Sequence, residues 1–176
     1  IMAVNWKKAE EYIKAGKGKK QKVKYAHNTW NEHTHTAKSE MKDEVLVLDA
    51  SELKDICYMI PCPKSPHGCD VDPTGEFIVG SGKLAALIPV FSFDKLQSAI
   101  KNKTFEGDYG GIPVVKYEAA LHGEVQKPGL GPLHTEFDGK GNAYTTFFVS
   151  SEVVKWDIKT LKVLDRVPTY YSVGHL

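Results

Sequence analysis

The chain of 176 residues has few cysteines, little net charge and no long apolar run. Its three cysteines, Cys57, Cys62 and Cys69, are spaced unlike any zinc-binding motif, and their odd number gives no disulfide framework. The formal net charge of +1 offers no electrostatic basis for binding nucleic acid. Because no stretch of about 18 apolar residues occurs, we expect no membrane-spanning helix.

What the chain does contain is a series of short, β-prone segments bounded by glycine, proline or aspartate. Their recurrence at about ten-residue intervals is typical of an all-β sandwich or propeller. The predicted strands cover residues 45–48, 56–60, 76–79, 87–93, 114–117, 143–149, 153–157 and 161–167. Short helices are predicted at residues 5–15 and 94–100, and a long polar loop is predicted at residues 17–43.

Two similar sequence modules favour the propeller over the sandwich. In each, a histidine stands four or five residues before an Asp-x-x-Gly turn, and a β-prone run follows. These histidines are His67 and His134, and His175 follows His134 by 41 residues, close to the roughly 40–50 residues of one propeller blade. At that spacing the chain holds about three to four blades, fewer than most closed propellers have. We therefore expect a partial β-propeller with short helical insertions, and a chain that is a fragment.

Repeats that each present an imidazole at the same topological position can build a metal site where the repeats meet. His67 and His134 are predicted at equivalent turns before a strand, and His175 lies one blade length further on. Three imidazoles without a carboxylate or thiolate suit copper or zinc rather than magnesium or calcium. The pattern therefore indicates three metal ligands, with purely structural histidines as the alternative.

Lys155 is a further candidate for the site, whereas the other polar residues considered are predicted to have structural roles. Lys155 lies in an apolar run beside Trp156, where a lysine either reaches solvent or lines a cavity. Three aspartates are predicted to form turns through local hydrogen bonds, namely Asp70, Asp72 and Asp138. His122 has no counterpart in the other module, so we expect it to be structural.

Several of these motifs resemble those of the nitrous oxide reductases, multicopper enzymes that reduce N2O to N2 and water. The matching runs are Pro66-His67-Gly68, Gly-Leu-Gly-Pro-Leu-His-Thr at residues 129–135, residues 137–146, Val154-Lys155-Trp156 and Gly174-His175, together with residues 5–17. The Gly-Leu-Gly-Pro-Leu-His block is highly specific. Residues 170–176 resemble the second, atypical clade of the family.

The resemblance implies that residues 1–176 are a fragment of an N-terminal, seven-bladed β-propeller domain. Seven histidines in that family hold CuZ, a tetranuclear copper–sulfide cluster, and His67, His134 and His175 match three of them. Lys155 matches a lysine at the edge of the cluster, which is thought to deliver protons or to stabilise bound species. Glu32 and Asp43 are the nearest candidates for ligands of the family's calcium site.

The resemblance also implies a copper-dependent oxidoreductase of denitrification that acts on N2O in the periplasm. The family forms head-to-tail homodimers, which a cytochrome or a cupredoxin supplies with electrons, and its C-terminal cupredoxin domain with the CuA centre is absent here. Because three ligands cannot hold a cluster that needs seven, we expect the chain alone to be inactive. Two other functions stay open, a non-catalytic β-propeller binding module and a mononuclear hydrolase whose metal has three histidine ligands.

Overall fold

The computed structural model describes residues 1–31 and 36–176, and for residues 23–31 and 36–43 it describes the backbone alone. The strands are β1 (Met2–Val4), β2 (Lys19–Asn31), β3 (Thr36–Val47), β4 (Cys57–Met59), β5 (Pro66–Val71), β6 (Phe77–Gly82), β7 (Leu87–Ser92), β8 (Phe105–Tyr109), β9 (Ile112–Val115), β10 (Leu121–Gln126), β11 (Pro132–Phe137), β12 (Asn142–Phe147), β13 (Glu152–Asp157) and β14 (Val163–Pro168). The helices are α1 (Trp6–Lys14), α2 (Phe93–Lys101) and α3 (Tyr117–Ala120). The chain divides into a smaller compact unit, residues 4–57, and a larger one formed by residues 1–3 and 58–176.

The smaller unit contains α1 and the antiparallel pair β2–β3. The predicted helix is confirmed as α1. Its first turn is capped by the side chain of Asn5, which accepts a hydrogen bond from the Lys8 N–H at 3.1 Å. The predicted loop at residues 17–43 is wrong, since β2 and β3 occupy most of it. Residues 19–22 at the start of β2 are all exposed, so this stretch lacks the alternation of buried and exposed residues that identifies a half-buried strand.

Two four-stranded antiparallel sheets form most of the larger unit. One has the strand order β5-β6-β7-β10 and the other β11-β12-β13-β14. Both begin with an edge strand whose first residue is a proline, Pro66 or Pro132, a position where the missing N–H is tolerated. In each sheet the histidine-bearing strand is therefore the edge strand.

A third sheet has the order β1-β4-β9-β8 and includes a parallel pair, β4 with β9. Its strands β8 and β9 lie, with α2 and α3, in the stretch of chain that separates β7 from β10. This insertion accounts for the long interval between His67 and His134. The all-β prediction is confirmed. The predicted number of blades is not confirmed, because the strands described within residues 1–31 and 36–176 form separate sheets that do not close into a ring.

Apolar residues from the two antiparallel sheets share one core. Its members are Val79, Ile88, Val90, Val125, Ala143, Phe147, Val154, Trp156 and Ile158. The indole N–H of Trp156 donates to the Thr145 hydroxyl at 2.9 Å, and that hydroxyl also pairs with the Thr135 hydroxyl at 2.8 Å. These buried polar atoms are therefore hydrogen-bonded, as a stable core requires. None of the described helices is long and apolar enough to cross a membrane.

Candidate metal centre

The three histidines predicted as ligands lie together. The ring centroids of His134 and His175 are 4.1 Å apart, and their planes are 24° from parallel. The His67 ring lies edge-on to both, with its centroid 5.1 Å from that of His134 and 6.4 Å from that of His175. We refer to these three residues as the histidine cluster. The structure thus brings together side chains from two edge strands and from the segment that follows β14.

His67 and His134 each lie in a β-bulge. Positions 66–69 of β5 contain one residue more than the part of β6 that they pair with. Positions 132–135 of β11 likewise contain one residue more than the paired part of β12. The prediction that these histidines open turns is therefore wrong, because both lie within strands and the turns come later. A bulge adds one residue and redirects the side chains beside it, so the same irregularity stands next to both histidines.

The two edge strands approach closely at Gly68. A Cβ atom at this position would overlap the carbonyl oxygen of Leu133 and lie 3.0 Å from the hydroxyl oxygen of Ser81. The Ser81 hydroxyl is buried, accepts a hydrogen bond from the Gly68 N–H at 2.5 Å and donates one to the Leu133 carbonyl at 2.6 Å. Ser81 therefore bridges the strands that carry His67 and His134.

Asp70 also links these strands. Its Oδ2 accepts a hydrogen bond from the Thr135 N–H at 2.8 Å, and its Oδ1 lies 3.6 Å from Nδ1 of His134. The prediction of Asp70 as a turn residue is wrong, because it lies inside β5 and contacts β11. The sequence offered one signal that was missed, namely a charged residue within the strand that carries a site histidine.

The other two predicted turn aspartates are confirmed. Asp72 accepts hydrogen bonds from the Thr74 and Phe77 N–H groups at 3.2 and 2.8 Å. Asp138 accepts them from the N–H groups two and four residues later, at 2.8 and 3.1 Å. Hydrogen bonds from the Asn142 side chain and these N–H groups lower the pKa of Asp138 to about 2.

His175 lies on the segment that follows β14, and Ser151 holds this segment. The Thr169 N–H donates to the Ser151 carbonyl at 2.8 Å, and the Ser172 N–H donates to the Ser151 hydroxyl at 3.1 Å. Because Ser151 immediately precedes β13, these bonds tie the segment to the sheet that carries His134.

The surroundings of His67 favour its neutral form. Partial desolvation lowers the pKa of His67 below its usual value, and the nearby His134, His175 and Lys83 lower it further, while Asp70 opposes them. A neutral imidazole keeps one nitrogen lone pair free to bind a metal. The sequence analysis missed Lys83, whose Nζ lies 4.0 Å from the centroid of the Phe148 ring.

Lys155 and His122 have well-defined neighbours of their own. Lys155 is half-buried on β13, paired with Tyr144 on β12, and its Nζ lies 5.6 Å from the centroid of that ring. Its role at a metal stays a prediction. The Nε2 atom of His122 is hydrogen-bonded to the Lys159 carbonyl at 3.1 Å, and its ring packs against Phe77, as a structural histidine should.

The donor chemistry of the histidine cluster fits copper, since imidazole nitrogen is a suitable copper ligand. Within residues 1–31 and 36–176, no group of three or more His, Cys, Asp or Glu side chains is arranged to hold a metal ion. The predicted calcium ligands cannot be placed in the same way, because Glu32 lies outside the described residues and the side chain of Asp43 is not described. The calcium site stays a prediction.

Comparison with known proteins found no matching family model. Curated nitrous-oxide reductases do match, with 35% identity over 127 residues for the protein of Stutzerimonas stutzeri and 38% over 128 residues for that of Pseudomonas fluorescens. The protein of Ralstonia nicotianae is 36% identical over 128 residues. Each alignment covers 66% of this chain and 18% of the relative, so the chain spans about a fifth of the length of the curated relatives it matches. The resemblance seen in the motifs is confirmed.

Proposed function

The chain is a relative of the nitrous-oxide reductases, and from this premise we propose that it supplies part of a copper site that reduces N2O. The observation that carries the proposal is the histidine cluster, in which three imidazoles from separate segments come together. In the proposed site these residues contribute three of the seven histidine ligands of a tetranuclear copper–sulfide cluster.

When bound, such a cluster would supply the two electrons that N2O reduction requires and would bind the departing oxygen. The residues of this chain would hold and tune it. The lowered pKa of His67 keeps its imidazole in the neutral form that binds metal. Lys155 is proposed as the group that donates a proton or offsets the growing negative charge.

Further features follow from the relationship and belong to the same proposal. We infer a partial seven-bladed propeller, whose blades include the two antiparallel sheets, in an enzyme located in the periplasm. The enzyme would act as a homodimer, receive electrons from a cytochrome or a cupredoxin, and bind calcium through Glu32 and Asp43. This chain alone would be inactive, because its three histidines do not complete the ligand set.

Two other functions predict different behaviour. A non-catalytic propeller module would take up no copper. A mononuclear hydrolase would bind one metal ion per chain through three histidines and an open coordination position. The relatives' name favours N2O reduction over both.

Copper content and N2O reduction test the proposal together. The whole protein that contains these residues would be prepared with His67→Ala, His134→Ala or His175→Ala, and with His122→Ala as the matched control. Each of the first three variants should lose copper and lose N2O reduction driven by a reduced viologen dye, whereas His122→Ala should keep both. Full copper content and activity in the three variants would contradict the proposal, and one metal ion per chain would support the hydrolase.

A further inference from the structure

Asp70 occupies a constrained position between the two edge strands. Its side chain is 24% exposed and that of His134 is 26% exposed, so water screens their interaction incompletely. The hydrogen bond from the Thr135 N–H fixes Oδ2, which prevents the carboxylate from rotating freely. The other oxygen is thereby held 3.6 Å from Nδ1 of His134.

We propose that Asp70 is a positioning residue for His134, whose carboxylate selects the imidazole tautomer with the proton on Nδ1. That tautomer leaves the lone pair on Nε2 as the one available to a metal. The interaction itself needs no metal, whereas its consequence for metal binding rests on the proposed function.

The argument depends on the chemistry of the two groups. An ionised carboxylate is only an acceptor, and the nearest imidazole nitrogen is either an N–H donor or a lone-pair acceptor. A proton on Nδ1 faces the negative oxygen favourably, while a lone pair there is repelled by it. At 3.6 Å the contact is longer than an ordinary hydrogen bond, so it acts through charge. Carboxylates commonly fix the tautomer of metal-binding histidines in this way.

A purely structural role for Asp70 can be separated from this one. Asp70→Asn keeps a side-chain oxygen that can accept the Thr135 N–H but removes the negative charge beside His134. Asp70→Glu keeps the charge on a longer side chain. Asp72→Asn is the matched control, because Asp72 carries the same charge two residues later and its hydrogen bonds lie in the turn.

Imidazole nitrogen NMR of the copper-free chain tests the proposal directly. We expect His134 to be mainly the Nδ1–H tautomer in the parent chain and in Asp72→Asn, and to shift towards Nε2–H in Asp70→Asn. Asp70→Glu should restore the Nδ1–H form at least partly. An Nε2–H majority in the parent chain, or the same tautomer ratio in Asp70→Asn, would overturn the proposal. If Asp70→Asn does not fold, the parent chain and Asp70→Glu still decide the question.

Copper titration of the whole protein measures the consequence. Asp70→Asn should weaken copper binding by about 10–100-fold, the usual effect of removing such a partner, and Asp72→Asn should not. Equal copper affinity in Asp70→Asn and the parent protein would contradict a role in positioning a ligand. If neither the parent protein nor the variants bound copper, the proposed function would be contradicted. The NMR experiment would still test the tautomer of His134, because it needs no copper.

Discussion

Replacing Gly68 by alanine should destabilise the larger unit and disturb the histidine cluster. Gly68 needs no positive φ, so the effect would be one of space alone. The added methyl group would overlap the Leu133 carbonyl oxygen and lie 3.1 Å from its carbonyl carbon. Both obstacles on β11 are backbone atoms, which cannot move aside as a flexible side chain can. We therefore expect β5 and β11 to separate at this point.

The size of the effect can be worked from the contacts that would be strained. Overpacking of a tight site costs about 1–3 kcal/mol. The two short hydrogen bonds of Ser81 would lengthen, and losing them adds about 0.5–1.5 kcal/mol each. Against this, alanine lowers the entropy of the unfolded chain relative to glycine by about 0.4–1 kcal/mol. The net loss is about 1–6 kcal/mol, or a fall in melting temperature of about 2–22 °C for a chain of this size.

Unfolding in urea, followed by the fluorescence of the buried Trp156, would measure the loss for the larger unit. Trp6→Phe and Trp30→Phe in the background would remove the signals from the smaller unit. Gly174→Ala is the matched control, since Gly174, like Gly68, is adjacent to a cluster histidine but has open space around it. A Gly68→Ala stability within about 0.5 kcal/mol of the Gly174→Ala value, the range of ordinary surface changes, would refute the reasoning.

Two more predictions follow from single residues. Because the folded chain holds the pKa of His67 below the usual 6.5, His67 contributes stability that is complete above pH 6.5 and lost as the pH falls below it. Urea unfolding across pH 5–8 should show a weaker acid loss in His67→Gln, and an identical pH profile would contradict the assignment. Trp156→Phe should cost about 1–3 kcal/mol, because it leaves a cavity and removes the indole hydrogen bond to Thr145. A urea midpoint that is unchanged when unfolding is followed by far-ultraviolet circular dichroism would contradict a contribution from either effect.

Elements with a strong local signal were predictable from the sequence. Helix α2 was expected at residues 94–100 and occupies Phe93–Lys101, and its start is capped by Ser92, which accepts the Lys95 N–H. The strand expected at residues 153–157 is Glu152–Asp157. In both α2 and β13, the regular spacing of apolar residues identifies the face that is buried.

Elements that owe their structure to distant partners were not predictable. β5 and β11 were interpreted as turns, because each begins with a proline and contains a polar bulge that breaks the alternation of a strand. The grouping of three histidines could be inferred from their spacing and their motifs. The contacts of Asp70 and Ser81 with β11 could not be inferred from the sequence, because each joins residues more than 50 positions apart.

The single extra residue in β5 changes which side of the sheet its later residues face. Side chains of a regular strand alternate, so residues three positions apart, such as His67 and Asp70, would point in opposite directions. The bulge in β5 places both side chains on the same side of the strand, and both reach His134 on β11. A regular strand over the same residues, without the bulge, would therefore place the imidazole and the carboxylate on opposite faces. The relative placement of these two groups thus depends on an irregularity in the backbone of β5, and not only on the identity of their side chains.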